Sequence, residues 1–354
     1  MNPEEQKVIR VLVVDDSRVV AEFLTDLLNS DERIQVVGVA RDGEEAVEAA
    51  QRTKPDVITM DIHMPKVNGF DATRKIMETS PAPIVIVSGT TSTDEVALNF
   101  RAVEAGALAV LARPSNTDDP GHGTSKQLLD TVKLMSEVKV VKRWSRARYA
   151  APALVPIAAE LEKLSGPLQA VAIGASTGGP QALQTLLAGL PKDFSLPVLI
   201  VQHMTPGFAE GFVEWLGDSS RFSVRVAVDG EFLLPGHAYV APDDFQMGVR
   251  SGPRILLTAD AKESGVRPSV SFLLRSVRQV FGSNVVGVLL TGMGKDGAAE
   301  LGHLRDAGAI TIAQDEASSV VHGMPGEAIS IGAARHVLPP EAIARMLANI
   351  TAKP

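Results

Sequence analysis

Cysteine is absent from all 354 residues. That excludes disulfide staples, thiolate metal sites and cysteine nucleophiles at once, and it fits a reducing compartment. Aromatic side chains are scarce, with two Trp, two Tyr and 11 Phe making up 4% of the chain. Positive charge is in deficit: 34 Lys and Arg stand against 42 Asp and Glu, a formal net charge of -8. No global basic field therefore draws the molecule to nucleic acid or to an anionic membrane surface. No run of about 18 apolar residues occurs, so no membrane insertion is expected. The opening MNPEEQKVIRVLVVDD carries early acids, and Arg10 breaks its apolar run, which is not the pattern of a signal peptide. These absences point to a cytoplasmic protein with no nucleic-acid partner.

What is present is aliphatic. The hydrophobic share is 45%, dominated by residues suited to buried parallel strands and amphipathic helices. At roughly 150 residues per domain, the length implies two domains. Over residues 8–137, apolar runs at 8–14, 34–39, 56–60, 84–88 and 107–111 alternate with helix-spaced stretches such as 18–29, 43–52 and 93–105. Five strands alternating with helices imply an α/β parallel sheet covered on both faces. The rhythm breaks at 139–167, where KVVKRWSRAR holds five basic residues and no acid, and AAPALVPIAA holds two prolines. That is a linker composition. The alternation resumes at 168, with strands expected at 168–175, 196–202, 285–290 and 309–313. Helices are expected at 180–189, 207–216, 268–281, 297–306 and 326–332. Residues 222–259 have shorter runs and more turn residues, and read as hairpin or mixed strands inserted in the parallel sheet. The organisation expected is two doubly wound domains, 1–138 and 168–354, joined by a linker at 139–167.

Asp15 and Asp16 end the first expected strand, and Asp61 ends the third. Functional groups gather at the carboxyl ends of an open parallel sheet, and a flavodoxin-like order makes these two strands neighbours. Three converging carboxylates repel unless a cation neutralises them, and their all-oxygen character suits Mg²⁺. Ser88 ends the fourth strand and Arg113 the fifth. One such Asp alone would read as a helix cap; the trio beside a hydroxyl and a cation is not so easily reduced. VVDDS, DVITMDIHMPKVNGF, IVIVSG and a cation before proline closely resemble two-component receiver domains. The resemblance implies that Asp61 accepts a phosphoryl group from a histidine kinase. It also implies that Asp15, Asp16 and Asp61 hold Mg²⁺ and that the Ser88 hydroxyl contacts the phosphoryl oxygens. Receivers usually carry Lys where this chain has Arg113, and many carry an aromatic switch residue where it has Val110.

GASTGGP, residues 174–180, permits two chemistries. A dinucleotide cradle needs G-x-G-x-x-G, but Ser176 stands where the second glycine is due. A reductase would need Tyr with Lys four positions on; Tyr149 is followed there by Ala153 and Tyr239 by Asp243. A serine nucleophile needs a base and an orienting acid on neighbouring strand ends. Ser176, His203 and Asp296 each follow an expected core strand and precede a helix. Pro180 suits the first turn of the helix after Ser176, whose free N–H groups would favour an oxyanion. Each residue also has a bland alternative as a cap or a hydrogen-bonded core side chain. His237, His303, His322 and His336 compete as base, His322 in its loop being the strongest rival.

GASTGGP, IVQHM, PGHAYVAP, LLTGMGKDGA and QDEASSVVHGMP together resemble the catalytic domain of chemotaxis-receptor methylesterases. The resemblance implies a Rossmann-like α/β methylesterase domain with an inserted antiparallel portion behind a flavodoxin-like receiver. It implies Ser176 as nucleophile, His203 as general base and Asp296 as orienting acid, with no cofactor for ester hydrolysis. The Met293 N–H would serve as oxyanion donor, with Thr177 near the site. The substrate implied is the methylated cytoplasmic domain of a chemoreceptor, and glutamine deamidation is a further implied activity. The residues alone leave open a hydrolase for another ester or amide, or a phosphorylation-controlled binding protein.

Overall fold

Residues 8–89, 92–114, 123–138, 140 and 164–351 are described in a computed structural model of the chain. The chain divides into two compact units, Met1–Ala147 and Arg148–Pro354. Most of the expected linker at 139–167 lies outside the described residues. Its described end, 164–167, is already anchored, since the Ser165 and Ser283 hydroxyls lie 3.0 Å apart.

The first unit runs β1 (Ile9–Val14), α1 (Arg18–Asn29), β2 (Ile34–Ala40), α2 (Gly43–Thr53), β3 (Val57–Met60), α3 (Gly69–Thr79), β4 (Ile84–Ser88), α4 (Thr93–Ala105), β5 (Ala109–Ala112) and α5 (Gly123–Met135). Its five strands are parallel, in the order β2-β1-β3-β4-β5. VITM of β3 and IVIVS of β4 are buried at every position. A strand covered on both faces reads as a continuous apolar run, which is why these strands were visible without alternation. Side chains set where the helices begin: Asp42 accepts the N–H groups of Glu44 and Glu45 at α2, and Asn68 accepts that of Asp71 at α3. The strand order brings the carboxyl ends of β1 and β3 side by side.

The second unit runs β6 (Ala170–Ala175), α6 (Gly179–Ala188), β7 (Val198–Gln202), α7 (Ala209–Ser220), β8 (Ser223–Val226), β9 (His237–Val240), β10 (Gln246–Arg250), β11 (Arg254–Thr258), α8 (Val270–Phe281), β12 (Val285–Leu289), α9 (Ala298–Asp306), β13 (Ile310–Gln314), α10 (Met324–Ser330), β14 (His336–Leu338) and α11 (Pro340–Thr351). Seven strands form one sheet in the order β14-β13-β12-β6-β7-β9-β8, parallel throughout. The expectation for 222–259 is refined here. β8 and β9 join the main sheet as parallel strands, and only β10 and β11 are antiparallel, in a separate two-stranded sheet.

That hairpin packs on α8. The Ser276 hydroxyl of α8 accepts the Val249 N–H at 2.7 Å and lies 3.0 Å from the Val249 carbonyl. Met247, Val249 and Ile255 of the hairpin share a core with Leu273, Leu274 and Val277 of α8 and with Ala170 and Ala172 of β6. The helix is therefore covered on both sides. Its first turn also rests on β6 directly, because a Cβ at Gly174 would sit 2.3 Å from Val270 Cγ1. Among the described residues no helix is long and apolar enough to cross a membrane.

Candidate active site

In an open parallel sheet, a crevice forms where successive connections run to opposite sides of one strand. In the second unit that strand is β6, with β12 on one side and β7 on the other. The ladder continues past each strand end. The His203 N–H reaches the Ala175 carbonyl at 2.9 Å, and the Ser176 N–H reaches the Thr291 carbonyl at 3.0 Å. Ser176 therefore leaves the central strand, His203 leaves β7, and Asp296 comes from the loop after β12.

His203 and Asp296 meet across the end of β6, with Nε2 3.0 Å from Asp296 Oδ2. This contact leaves Nδ1 as the ring nitrogen available to a second partner. Ser176 and Thr177 are half-buried. Among the described residues Ser176 Oγ makes no hydrogen bond, so its link to His203 is not formed in this structure.

Asp296 is 5% exposed and heavily solvated by protein donors. Its Oδ2 also accepts the Val270 N–H at 2.7 Å, while Oδ1 accepts the Ser269 hydroxyl at 3.0 Å, the Ser271 N–H at 3.0 Å and the Ser271 hydroxyl at 2.6 Å. Burial alone would raise its pKa; the hydrogen bonds from His203, Ser271 and Val270 outweigh burial and hold it at about 2. The carboxylate thus sits ionised at the N-terminus of α8, where the helix dipole favours negative charge.

Three loops are knitted round Ser176. The Gln202 amide donates to the Ser176 carbonyl at 2.9 Å and to the His203 carbonyl at 2.7 Å. The Thr291 hydroxyl lies 2.9 Å from the Thr177 carbonyl and 3.1 Å from that of Val321. The Gly292 carbonyl accepts the N–H groups of Gly323 and Met324. A Cβ at Gly292 would lie 2.7 Å from Ser176 Cβ and 2.6 Å from Met324 Sδ, so only glycine permits this approach. The next residue, Met293, is 50% exposed, and among the described residues its N–H has no partner.

The rival histidines make other contacts. His237 Nδ1 lies 2.9 Å from the Pro235 carbonyl, and His303 Nδ1 lies 3.0 Å from Glu300 on an exposed helix face. His322 borders the crevice, bridged to Gly292 through the backbone, but its Nδ1 lies 3.4 Å from the Ser319 hydroxyl and not on an acid. Sequence reasoning missed Gln202, Ser269, Ser271 and Thr291. Each looked like a strand end or a helix cap, and its partner lies far along the chain.

In the first unit, oxygens of Asp15, Asp16 and Asp61 come within 4.8 Å of one another. Asp15 and Asp61 are buried and Asp16 is exposed. Three hard oxygen donors at this spacing fit a Mg²⁺ ion that keeps several of its waters. Arg113 Nη2 lies 3.2 Å from Asp15 Oδ2 and 3.6 Å from Asp61 Oδ1. Burial pushes the Asp15 carboxyl up to about 6 in spite of Arg113, and burial raises Asp61 as well. Ser88 is 2% exposed at the end of β4, and its hydroxyl accepts a hydrogen bond from the buried Asn99 amide at 2.8 Å.

The model of the CheB methylesterase family matches residues 171–347, and that of the response regulator receiver domain matches 11–119. A protein-glutamate methylesterase/protein-glutamine glutaminase of Nitrosospira multiformis is 57% identical over 346 residues, 98% of either chain. One from Geobacter metallireducens is 56% identical over 344 residues, covering 97% of this chain and 99% of its own. The crystal structure of the Thermotoga maritima CheB methylesterase catalytic domain matches at 38% identity and a TM-score of 0.51, over 52% of this chain and 100% of that one. With both family models matched in order and full-length relatives above half identity, the chain belongs to the CheB methylesterases, response regulators with a receiver domain ahead of a methylesterase domain.

Proposed function

We propose that this chain hydrolyses γ-glutamyl methyl esters on the cytoplasmic domains of chemoreceptors, releasing methanol, and that phosphorylation of its receiver raises the rate. The names of its full-length relatives, protein-glutamate methylesterase/protein-glutamine glutaminase, support glutamyl methyl esters as substrate and glutamine deamidation as a second activity. The observation that carries the chemistry is the His203–Asp296 hydrogen bond, 3.0 Å long, across the end of the strand that bears Ser176. Residues 1–138 act as receiver and 168–354 as catalytic domain, with 139–167 as linker.

Ser176 Oγ attacks the ester carbonyl carbon while its proton passes to His203 Nδ1. Ionised Asp296 holds the ring through Nε2 and stabilises the imidazolium. The Met293 N–H, which has no partner among the described residues, donates to the oxyanion, with Thr177 beside it. One such donor is worth roughly 10²–10³ in kcat. Collapse of the tetrahedral species breaks the C–O bond, and the proton on Nδ1 leaves with methoxide as methanol. Water, deprotonated by the same nitrogen, then attacks the acyl-Ser176 carbonyl; the C–Oγ bond breaks, the proton on Nδ1 returns to Ser176 Oγ, and a glutamate carboxylate is left.

In the receiver, an Asp61 oxygen attacks the phosphorus of a phosphohistidine on a kinase, and the N–P bond breaks. Asp15, Asp16 and Asp61 would hold Mg²⁺, which when bound neutralises charge on the transferring group. Arg113 and Ser88 contact the phosphoryl oxygens. Methanol release from methylated receptor membranes, with and without a small-molecule phosphoryl donor, tests the whole scheme. Release that rises with the donor is expected. Release that ignores the donor overturns the control, and no release overturns the esterase.

A further inference from the structure

We infer that Ser271, the second residue of α8, is a positioning residue for ester hydrolysis, aligning both the acid of the triad and the loop that carries the oxyanion donor. Granting Asp296 the role proposed above, three contacts single out Ser271. Its hydroxyl donates to Asp296 Oδ1 at 2.6 Å, its N–H donates to the same oxygen at 3.0 Å, and its hydroxyl accepts the Gly297 N–H at 2.9 Å. Because the hydroxyl has one proton, the carboxylate fixes where it points, and the lone pairs are left for Gly297. Ser271 is therefore the only side chain among the described residues that bonds both to Asp296 and to the backbone at the end of the loop 291–297. That loop holds Gly292, packed on Ser176, and Met293.

The anchor is rigid for reasons already visible. α8 is covered by the β10–β11 hairpin on one side and by the main sheet on the other. Gly297 has φ +84°, a left-handed conformation that fixes the loop's exit into α9. Ser269, by contrast, divides its hydroxyl between Asp296 Oδ1 and the Phe272 N–H, as an ordinary helix cap does. Without the Ser271 hydroxyl, Asp296 keeps its backbone donors yet loses its shortest contact. The Gly297 N–H is then left without an acceptor. A displacement of about 1 Å at such a distance from the reacting atoms costs up to about 100-fold in rate.

The test uses the full-length chain and methanol release from methylated receptor membranes. Ser271→Ala is expected to lower kcat about 10- to 100-fold with KM within about twofold, and Ser271→Thr, which keeps the hydroxyl, to restore most of it. In an Asp296→Ala background, Ser271→Ala should add little, since the two act as a unit. Melting curves establish that each variant is folded. If Ser271→Ala does not fold, Ser271→Cys, which keeps the unbranched shape but is slightly larger and a weaker donor, carries the same comparison. Wild-type kcat in folded Ser271→Ala, beside an Asp296→Ala of strongly reduced but measurable kcat, overturns the inference and leaves the triad standing. Full activity in Asp296→Ala overturns the triad itself. A loss that Ser271→Thr does not rescue marks a packing effect and overturns the inference too.

Discussion

Asp296 and Asp15 are both buried carboxylates at strand ends, yet their surroundings push them in opposite directions. Asp296 overcomes its burial with hydrogen bonds from His203, Ser271 and Val270 and sits at about 2. A folded-state pKa below the unfolded one stabilises the fold above the unfolded value, and the gain is lost as pH falls through the folded value. The window is therefore between about pH 4 and pH 2, and the contribution above it is about 2 kcal/mol. Asp296→Asn should lower the urea midpoint of the catalytic unit at pH 7, with the gap to wild type closing as pH falls through that window. Asp15 is dominated by burial, only partly offset by Arg113, and rises to about 6. Asp15 and Asp61, both raised by burial, would have to lose their protons to hold the Mg²⁺ proposed for them, so Mg²⁺ affinity should fall as pH drops below about 6. Titration calorimetry on the full chain at pH 5 and pH 7 reads this directly, and equal affinities would contradict it. Ser176→Ala should abolish methanol release while leaving receiver phosphorylation intact, as followed with a labelled phosphoryl donor.

At the scale of elements, catalytic geometry is set by how closely loops approach the end of β6. Gly292→Ala forces a methyl against Ser176 Cβ and Met324 Sδ. It should reduce kcat at least about tenfold, with a smaller effect on melting, because the strain falls where the loop 291–297 meets Ser176, the proposed nucleophile. The strands that precede Ser176, His203 and Asp296 were legible because each is a short, fully buried and mostly apolar run with a polar residue at its end or within two positions after it. The pairing of β8 and β9 was not. Both are four-residue strands between turn residues, and such a pattern fits a hairpin as well as a parallel strand reached through a loop. Ser269 and Ser271 were invisible for a different reason. Serines ahead of a helical pattern are normal caps, and nothing local shows that a carboxylate 25 residues further on shares them. Arg113 was legible as a charge, but its simultaneous hold on Asp15 and Asp61 depends on strand order, which no single segment encodes.

For the whole molecule, two parallel sheets each gather a candidate site at the carboxyl edge, the one proposed for phosphoryl transfer and the other for acyl transfer. Coupling them asks little energy: a tenfold activation corresponds to about 1.4 kcal/mol of population shift, while a phosphoryl group adds about −1.5 to −2 charges to the receiver. Asp61→Asn should bring the ratio of methanol-release rates with and without a phosphoryl donor to about one. A rise of wild-type size in that variant would refute Asp61 as the acceptor. The hairpin β10–β11, which belongs to neither sheet, has a consequence for motion. It covers the face of α8 that carries Ser276, so Leu273, Leu274, Ser276 and Val277 in the middle of the helix that grips Asp296 are buried while Arg275, Arg278 and Gln279 keep a solvent-facing stripe. The amides of Leu273, Leu274 and Val277 should therefore exchange with deuterium more slowly than those of Arg278 and Gln279, which hydrogen exchange resolved by residue would read.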